Sequence, residues 1–175
     1  MRDDRAEQID YGVFETRIGE VIIARSCKGL CWLGFMVEGY KGNGLDRLKR
    51  FYPKAELRRD DARLSGLMEE VLQAWDEDRF DRIALDLQGT AFQISVWRAL
   101  MDIPKGEVYT YSDIARAIGK PKASRAVGSA VGENPVSLVV PCHRVVQASG
   151  GLGNYGWGVD IKADLLREEG AGIVV

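Results

Sequence analysis

Residues 110–132 read TYSDIARAIGKPKASRAVGSAVG, and the punctuation of this stretch decides the fold of the second half of the chain. Thr110 is suited to cap a helix, Asp113 adds an acid to its first turn and Gly119 supplies its stop, which predicts a helix over Tyr111 to Ile118. Lys120-Pro121 then turns the chain. A second helix is predicted over Ala123 to Val131, with Ala123, Ala126, Val127, Ala130 and Val131 spaced to share an inward face. Two short helices joined by a tight turn form a helix-turn-helix pattern. The other face, Ser124, Arg125, Gly128, Ser129 and Gly132, is small except for one Arg. A helical Gly costs roughly 1 kcal/mol relative to Ala. Two of them need a reason, either tight packing against a neighbouring element or entry into a nucleic-acid groove, and the residues alone leave both open.

Downstream, Val136 to Val140 is apolar apart from Ser137 and predicts a buried strand that must end at Pro141, where Cys142-His143-Arg144-Val145 follow. Cysteine attacks as the thiolate, which a neighbouring base or cation favours, so Cys142 with His143 reads as a nucleophile and its base, in contact directly or through a water. The acids Glu168-Glu169 can orient the imidazole. Cys27 and Cys31 have no such neighbours and read as structural thiols. Residues 150–158 (GGLGNYGWG) hold five Gly. Gly151, Gly153 and Gly156 match G-x-G-x-x-G, but too little chain follows for a dinucleotide-binding unit, and no G-K-[ST] follows for a phosphate loop. A close-approach loop bearing aromatics remains.

Upstream, Phe92 to Met101 predicts an amphipathic helix with Phe92, Val96, Trp97 and Leu100 inward. The first half is β-rich at its start: Tyr11 to Thr16, Val21 to Ala24 and Leu30 to Phe35 predict a three-stranded meander. Helices are predicted over Leu45 to Phe51 and Ala62 to Trp75, separated by Pro53, and a short strand over Ile83 to Leu87. These elements give an α/β (α+β) chain with an N-terminal domain at 1–85 and a C-terminal, mainly helical domain at 86–175.

The 175 residues carry 24 Lys and Arg against 26 Asp and Glu, three Cys and one His. One His excludes a His-rich zinc site, and three Cys exclude the paired framework of a small secreted domain. No apolar run approaches the roughly 18 residues of a membrane span, and MRDDRAEQID lacks the apolar stretch of a leader, so no membrane association and a cytoplasmic location with reduced thiols are expected. A net charge of −2 argues mildly against a nucleic-acid partner. Locally the sum differs: 116–144 holds Arg116, Lys120, Lys122, Arg125 and Arg144 against Glu133 alone, or 5 − 1 = +4.

Asn134-Pro135, then Val140-Pro141-Cys142-His143-Arg144-Val145-Val146, then Gly153-Asn154-Tyr155 closely resemble the O6-alkylguanine-DNA alkyltransferases, bacterial type. The likeness extends to Gly89-Thr90-Ala91-Phe92, Gly106-Glu107-Val108, Tyr111 and Lys122 to Gly128. The resemblance implies a ribonuclease H-like N-terminal domain and a winged helix-turn-helix-like C-terminal domain bearing the acceptor Cys. It implies repair of double-stranded DNA by a monomer without a cofactor or metal. The alkyl group of O6-alkylguanine, and of O4-alkylthymine, moves once to Cys142, after the damaged base is rotated out of the duplex. His143 and a water relay the Cys142 proton to Glu169, and Asn134 holds the Cys-bearing loop. Ser124 and Arg125 contact DNA, Arg125 filling the vacated stack, while Tyr111 presses the flanking phosphate and donates to the leaving O6. The Val145 carbonyl, Tyr155 and the Gly156 backbone N–H hold the base.

Gly156 departs from members with Ser or Arg there, which leaves only backbone for that contact, and Gly132 stands where some relatives are basic. The zinc site of some members lacks its His ligands here. Two other classes are weighed: a lesion-binding sensor that does not repair, whose relatives lack the Cys, and a Cys-His hydrolase, for which a basic helix-turn-helix has no use.

Overall fold

The computed structural model describes residues 8–39 and 41–172; residues 1–7, most of the polar N-terminal stretch read above, lie outside the described residues, as do 40 and 173–175. The chain divides into two compact units, Met1–Gln88 and Gly89–Val175. The first has an N-terminal sheet and the second is mainly helical, a mixed α+β chain.

In the first unit, β1 (Gln8–Thr16), β2 (Gly19–Ser26) and β3 (Gly29–Phe35) form the expected antiparallel meander. The sheet has a fourth strand that the sequence did not suggest: β4 (Glu56–Arg59) pairs parallel with β1, giving the order β3-β2-β1-β4. Its ELRR sequence has no apolar alternation, and it is held by the backbone ladder and by Arg58 Nε to Asp10 at 3.0 Å. Helices α1 (Gly44–Phe51) and α2 (Asp61–Glu77) match the periodicity, capped by Asn43 and Asp60. Leu64, Met68, Val71 and Trp75 of α2 are buried, and so is every residue of Val21 to Ala24. The strand expected over Ile83 to Leu87 reduces to one parallel bridge, Leu30 with Leu85. Gly29 permits it: with φ of 146° it turns the β2–β3 hairpin, and a Cβ there would lie 2.4 Å from the Ala84 carbonyl.

The second unit begins with α3 (Ala91–Met101), opened by a reciprocal capping box between Thr90 and Gln93. Then come β5 (Tyr109–Thr110), α4 (Tyr111–Ala117), α5 (Ser124–Gly132), a 3-10 turn at Cys142–Arg144, β6 (Val145–Val146) parallel to β5, and α6 (Val159–Glu168). Thr110 caps α4 together with Asp113, and Gly119 ends it at φ 74°, which lets the Lys120 N–H reach the Ala115 carbonyl at 2.9 Å. Helix α5 buries Val127, Ala130 and Val131 of the expected inward face, but Ala126 is exposed and joins Arg125, Ser129 and Gly132 on the outside. The Trp97 indole donates to the Ala130 carbonyl at 2.8 Å and ties α3 to α5.

A further reading of this half is corrected. Val136 to Val140 is no strand but a buried run of turns, with Leu138 at φ 73°. Its backbone groups are satisfied by turn bonds, among them the Val140 N–H to the Val136 carbonyl at 3.0 Å, and by one side chain described below. Helix α6 was not foreseen, because its buried stripe, Lys162, Ala163, Leu165 and Leu166, followed by Glu169 at the C-cap, mixes two charges into the inward face. Among the described residues no helix is long and apolar enough to cross a membrane.

Candidate active site

The turn before Cys142 is organised by one carboxamide. Asn134 Oδ1 accepts from the Val136 N–H at 2.9 Å, and its Nδ2 donates to the Val140 carbonyl at 2.8 Å, so both ends of the apolar run are tied to a single buried side chain. Pro141 ends the run, and the chain closes one 3-10 turn that carries Cys142, His143 and Arg144 inward, all buried. Adjacent side chains of an extended segment would point apart; here the segment is a 3-10 turn instead.

Burial raises the Cys142 pKa, against the polar groups of Asn134, Tyr155, Lys162 and Ser137 around the sulfur, so the resting group is a thiol that needs a base. Burial lowers the His143 pKa and outweighs the opposing pull of Glu169. The imidazole is therefore neutral at pH 7. Its Nε2 lies 2.9 Å from Glu169 Oε2, which makes Nε2 the protonated nitrogen, and Nδ1 is buried with no hydrogen-bond partner among the described residues. Nδ1 is thus the acceptor.

Glu169 is held by more than His143. Arg144 Nε donates to Oε1 at 3.0 Å and Nη2 to Oε2 at 2.7 Å, a bidentate fork, while Nη1 donates to the Ile103 carbonyl at 2.7 Å. Burial by itself raises the Glu169 pKa, but the bonds and charges of His143 and Arg144 override it and set it at about 2. Arg144 had been counted with the surface cations; the structure makes it an interior partner of the acid.

Tyr111 opens α4 half-buried, its pKa raised by burial and then by Cys142. A methyl group added at Gly128 would lie 3.8 Å from its ring, and one at Gly153 would lie 3.4 Å from its hydroxyl, so Tyr111 sits between α5 and the Gly-rich segment. The Tyr155 hydroxyl is buried beside Cys142 and Ser137, and burial, then Cys142, raises its pKa well above the ordinary value. Ser124 Oγ lies 3.3 Å from Ser112 Oγ and links α5 to α4, while Arg125 and Gly156 are exposed. Sequence reasoning missed two further groups: Lys162, whose ammonium contacts the Val145 carbonyl at 2.6 Å, and Ser137, whose Oγ accepts from the Trp157 indole at 2.8 Å.

Residues 91–171 match the family model described as 6-O-methylguanine DNA methyltransferase, DNA binding domain. The methylated-DNA–protein-cysteine methyltransferase of Methanosarcina acetivorans is 40% identical over 163 residues, covering 92% of this chain and 98% of that protein. The chain belongs to the methylated-DNA–protein-cysteine methyltransferase family. Within the family, the bifunctional transcriptional activator/DNA repair enzyme Ada of Escherichia coli is 38% identical over 162 residues, which are 92% of this chain and 45% of Ada, so the chain spans under half of that protein. The crystal structure of Mycobacterium tuberculosis OGT in complex with DNA superposes with a TM-score of 0.75 at 36% identity, covering 92% of each chain. Residues Tyr111 to Glu169 fall inside the segment that the family model matches.

Proposed function

We propose that the chain repairs double-stranded DNA by direct reversal, moving the alkyl group from O6 of guanine, and from O4 of thymine, to the Cys142 sulfur. The observation that carries this reading is the buried His143–Glu169 pair behind the Cys142 turn, with Nδ1 of His143 left as acceptor. The sulfur becomes nucleophilic by giving its proton to Nδ1, directly or across one water. Glu169, kept a carboxylate by Arg144, stabilises the imidazolium through Nε2–H and does not take the proton onward. The thiolate attacks the alkyl carbon, the carbon–O6 bond breaks and its electron pair goes to guanine, which takes a proton from Tyr111; solvent returns the proton held by His143 to Tyr111. Among the described residues no second group stands ready to cleave the thioether, so each molecule acts once.

A target base inside the duplex hides its O6, and rotating it out costs a few kcal/mol. Arg125, exposed on α5, would fill the gap, with Ser124 beside it and the Val145 carbonyl, Tyr155 and the Gly156 N–H holding the base. The fold likeness to a relative solved with DNA supports this partner. In this reading residues 86–175 form the DNA-binding and alkyl-acceptor domain of a monomer in the cytoplasm.

The test is intact-mass measurement after mixing with a duplex bearing O6-methylguanine. One methyl group per molecule is expected, absent in Cys142→Ser. Binding without any mass gain would mark a sensor instead, and transfer that survives the substitution would refute the assignment of the acceptor.

A further inference from the structure

Lys162 is completely buried on the inward side of α6, and its ammonium donates to three backbone carbonyls: Val145 at 2.6 Å, Leu152 at 2.5 Å and Asn154 at 3.3 Å. An ammonium has three N–H donors, so all of them are spent on backbone. The carbonyls belong to two separate segments. One is β6, directly after the Cys142 turn; the other is the Gly-rich stretch that leads to Tyr155. That stretch has little of its own to hold it, since it lacks regular structure and Gly150, Gly153 and Gly158 all sit at positive φ. The indole of Trp157 anchors its far end to Ser137.

Holding a cation inside on carbonyl dipoles alone is expensive, and burial draws the Lys162 pKa down to about 8. An apolar side chain would fill the same space at lower cost but could not tie two segments together. We propose that Lys162 is a positioning residue for the transfer: by joining the Val145 carbonyl to those of Leu152 and Asn154, it sets the width of the cleft that grips the base. The inference rests on the alkyltransferase reading above and adds to it what holds the two walls in register. It places the effect of Lys162 on the grip, with the displacement at sulfur touched less.

The experiment is single-turnover transfer from an O6-methylguanine duplex by the full chain and by Lys162→Met, with protein concentration varied to separate half-saturation from the limiting rate. Half-saturation is expected to rise about tenfold and the limiting rate to fall by a smaller factor, because the displaced wall weakens the grip while loss of the Lys162 charge, which favours the Cys142 thiolate, slows the attack to a lesser degree. Unchanged half-saturation, or a loss confined to the limiting rate, overturns the proposal. Absence of transfer by the unsubstituted protein would instead overturn the repair reading. Should Lys162→Met fail to fold, through-hydrogen-bond NMR couplings from Lys162 Nζ to the Val145 and Leu152 carbonyl carbons in the unsubstituted protein decide the matter: their detection supports the clamp, and their absence removes it.

Discussion

Glu169 is the residue on which the site's electrostatics turn. Glu169→Gln leaves the buried Arg144 without its counter-charge, and breaking such a pair from one side costs about 3–5 kcal/mol, which urea unfolding of the variant should show. The pH dependence has a definite sign. The Glu169 pKa lies at about 2 in the fold against an ordinary 4.5, so its stabilisation is fully present above 4.5 and is lost as pH falls toward 2. The slope of stability against pH in that window should be shallower in Glu169→Gln than in the unsubstituted protein. His143 governs activity rather than acid stability in this argument. Its pKa lies below the ordinary 6.5, so it remains a competent base there. The transfer rate is expected to hold level as pH is lowered through 6.5 and to fall only further into acid; a rate halved at the ordinary imidazole value would contradict this.

The elements answer the question that the glycines of α5 posed. A Cβ at Gly128 would meet the Tyr111 ring at 3.8 Å, an ordinary contact, and one at Gly132 would meet nothing within 4 Å. Packing within the described chain therefore requires neither, which favours the groove. Gly128→Ala is expected to stabilise the protein by up to about 1 kcal/mol in thermal melts while weakening duplex binding measured by anisotropy. Equal or tighter binding in the variant would argue against the groove. The helix pair α4–α5 was legible in the sequence because its signals are local: Thr110 caps, Gly119 stops, and periodicity fills the space between. Where partners are remote, the reading failed. β4 is polar and recruited by backbone pairing, and a five-residue apolar run such as Val136 to Val140 reads alike as strand or buried turn. Cys142 and His143 were singled out from their adjacency after Pro141, and Asn134 and the choice of Glu169 over Glu168 from the family resemblance, whereas the inward placement of Arg144 and Lys162 was not foreseen because charged side chains default to the surface.

At the scale of the whole molecule, net charge says little about binding, and the structure trims even the local count. Of the five cations in 116–144, Arg144 is buried on Glu169 and Arg116 pairs with Asp113, leaving Lys120, Lys122 and Arg125 exposed for phosphates. The logarithm of the binding constant should thus fall with the logarithm of salt at a slope of about −3, and a slope twice as steep would imply contacts beyond this helix pair. The three thiols also divide by environment. Cys27 is exposed, while burial pushes Cys31 up to about 12 and raises Cys142. Brief iodoacetamide treatment at neutral pH should label Cys27 first, by peptide mass spectrometry, and leave transfer intact.

A protein used once must stay competent through whatever time it waits. The carboxamide of Asn134 holds both flanks of the thiol-bearing turn, and asparagine is the side chain that ages fastest, when the next backbone nitrogen attacks it and closes a succinimide. Here that nitrogen belongs to Pro135, which carries no N–H. The joint that keeps the unspent thiol in place is therefore shielded by its neighbour from the commonest route of deamidation.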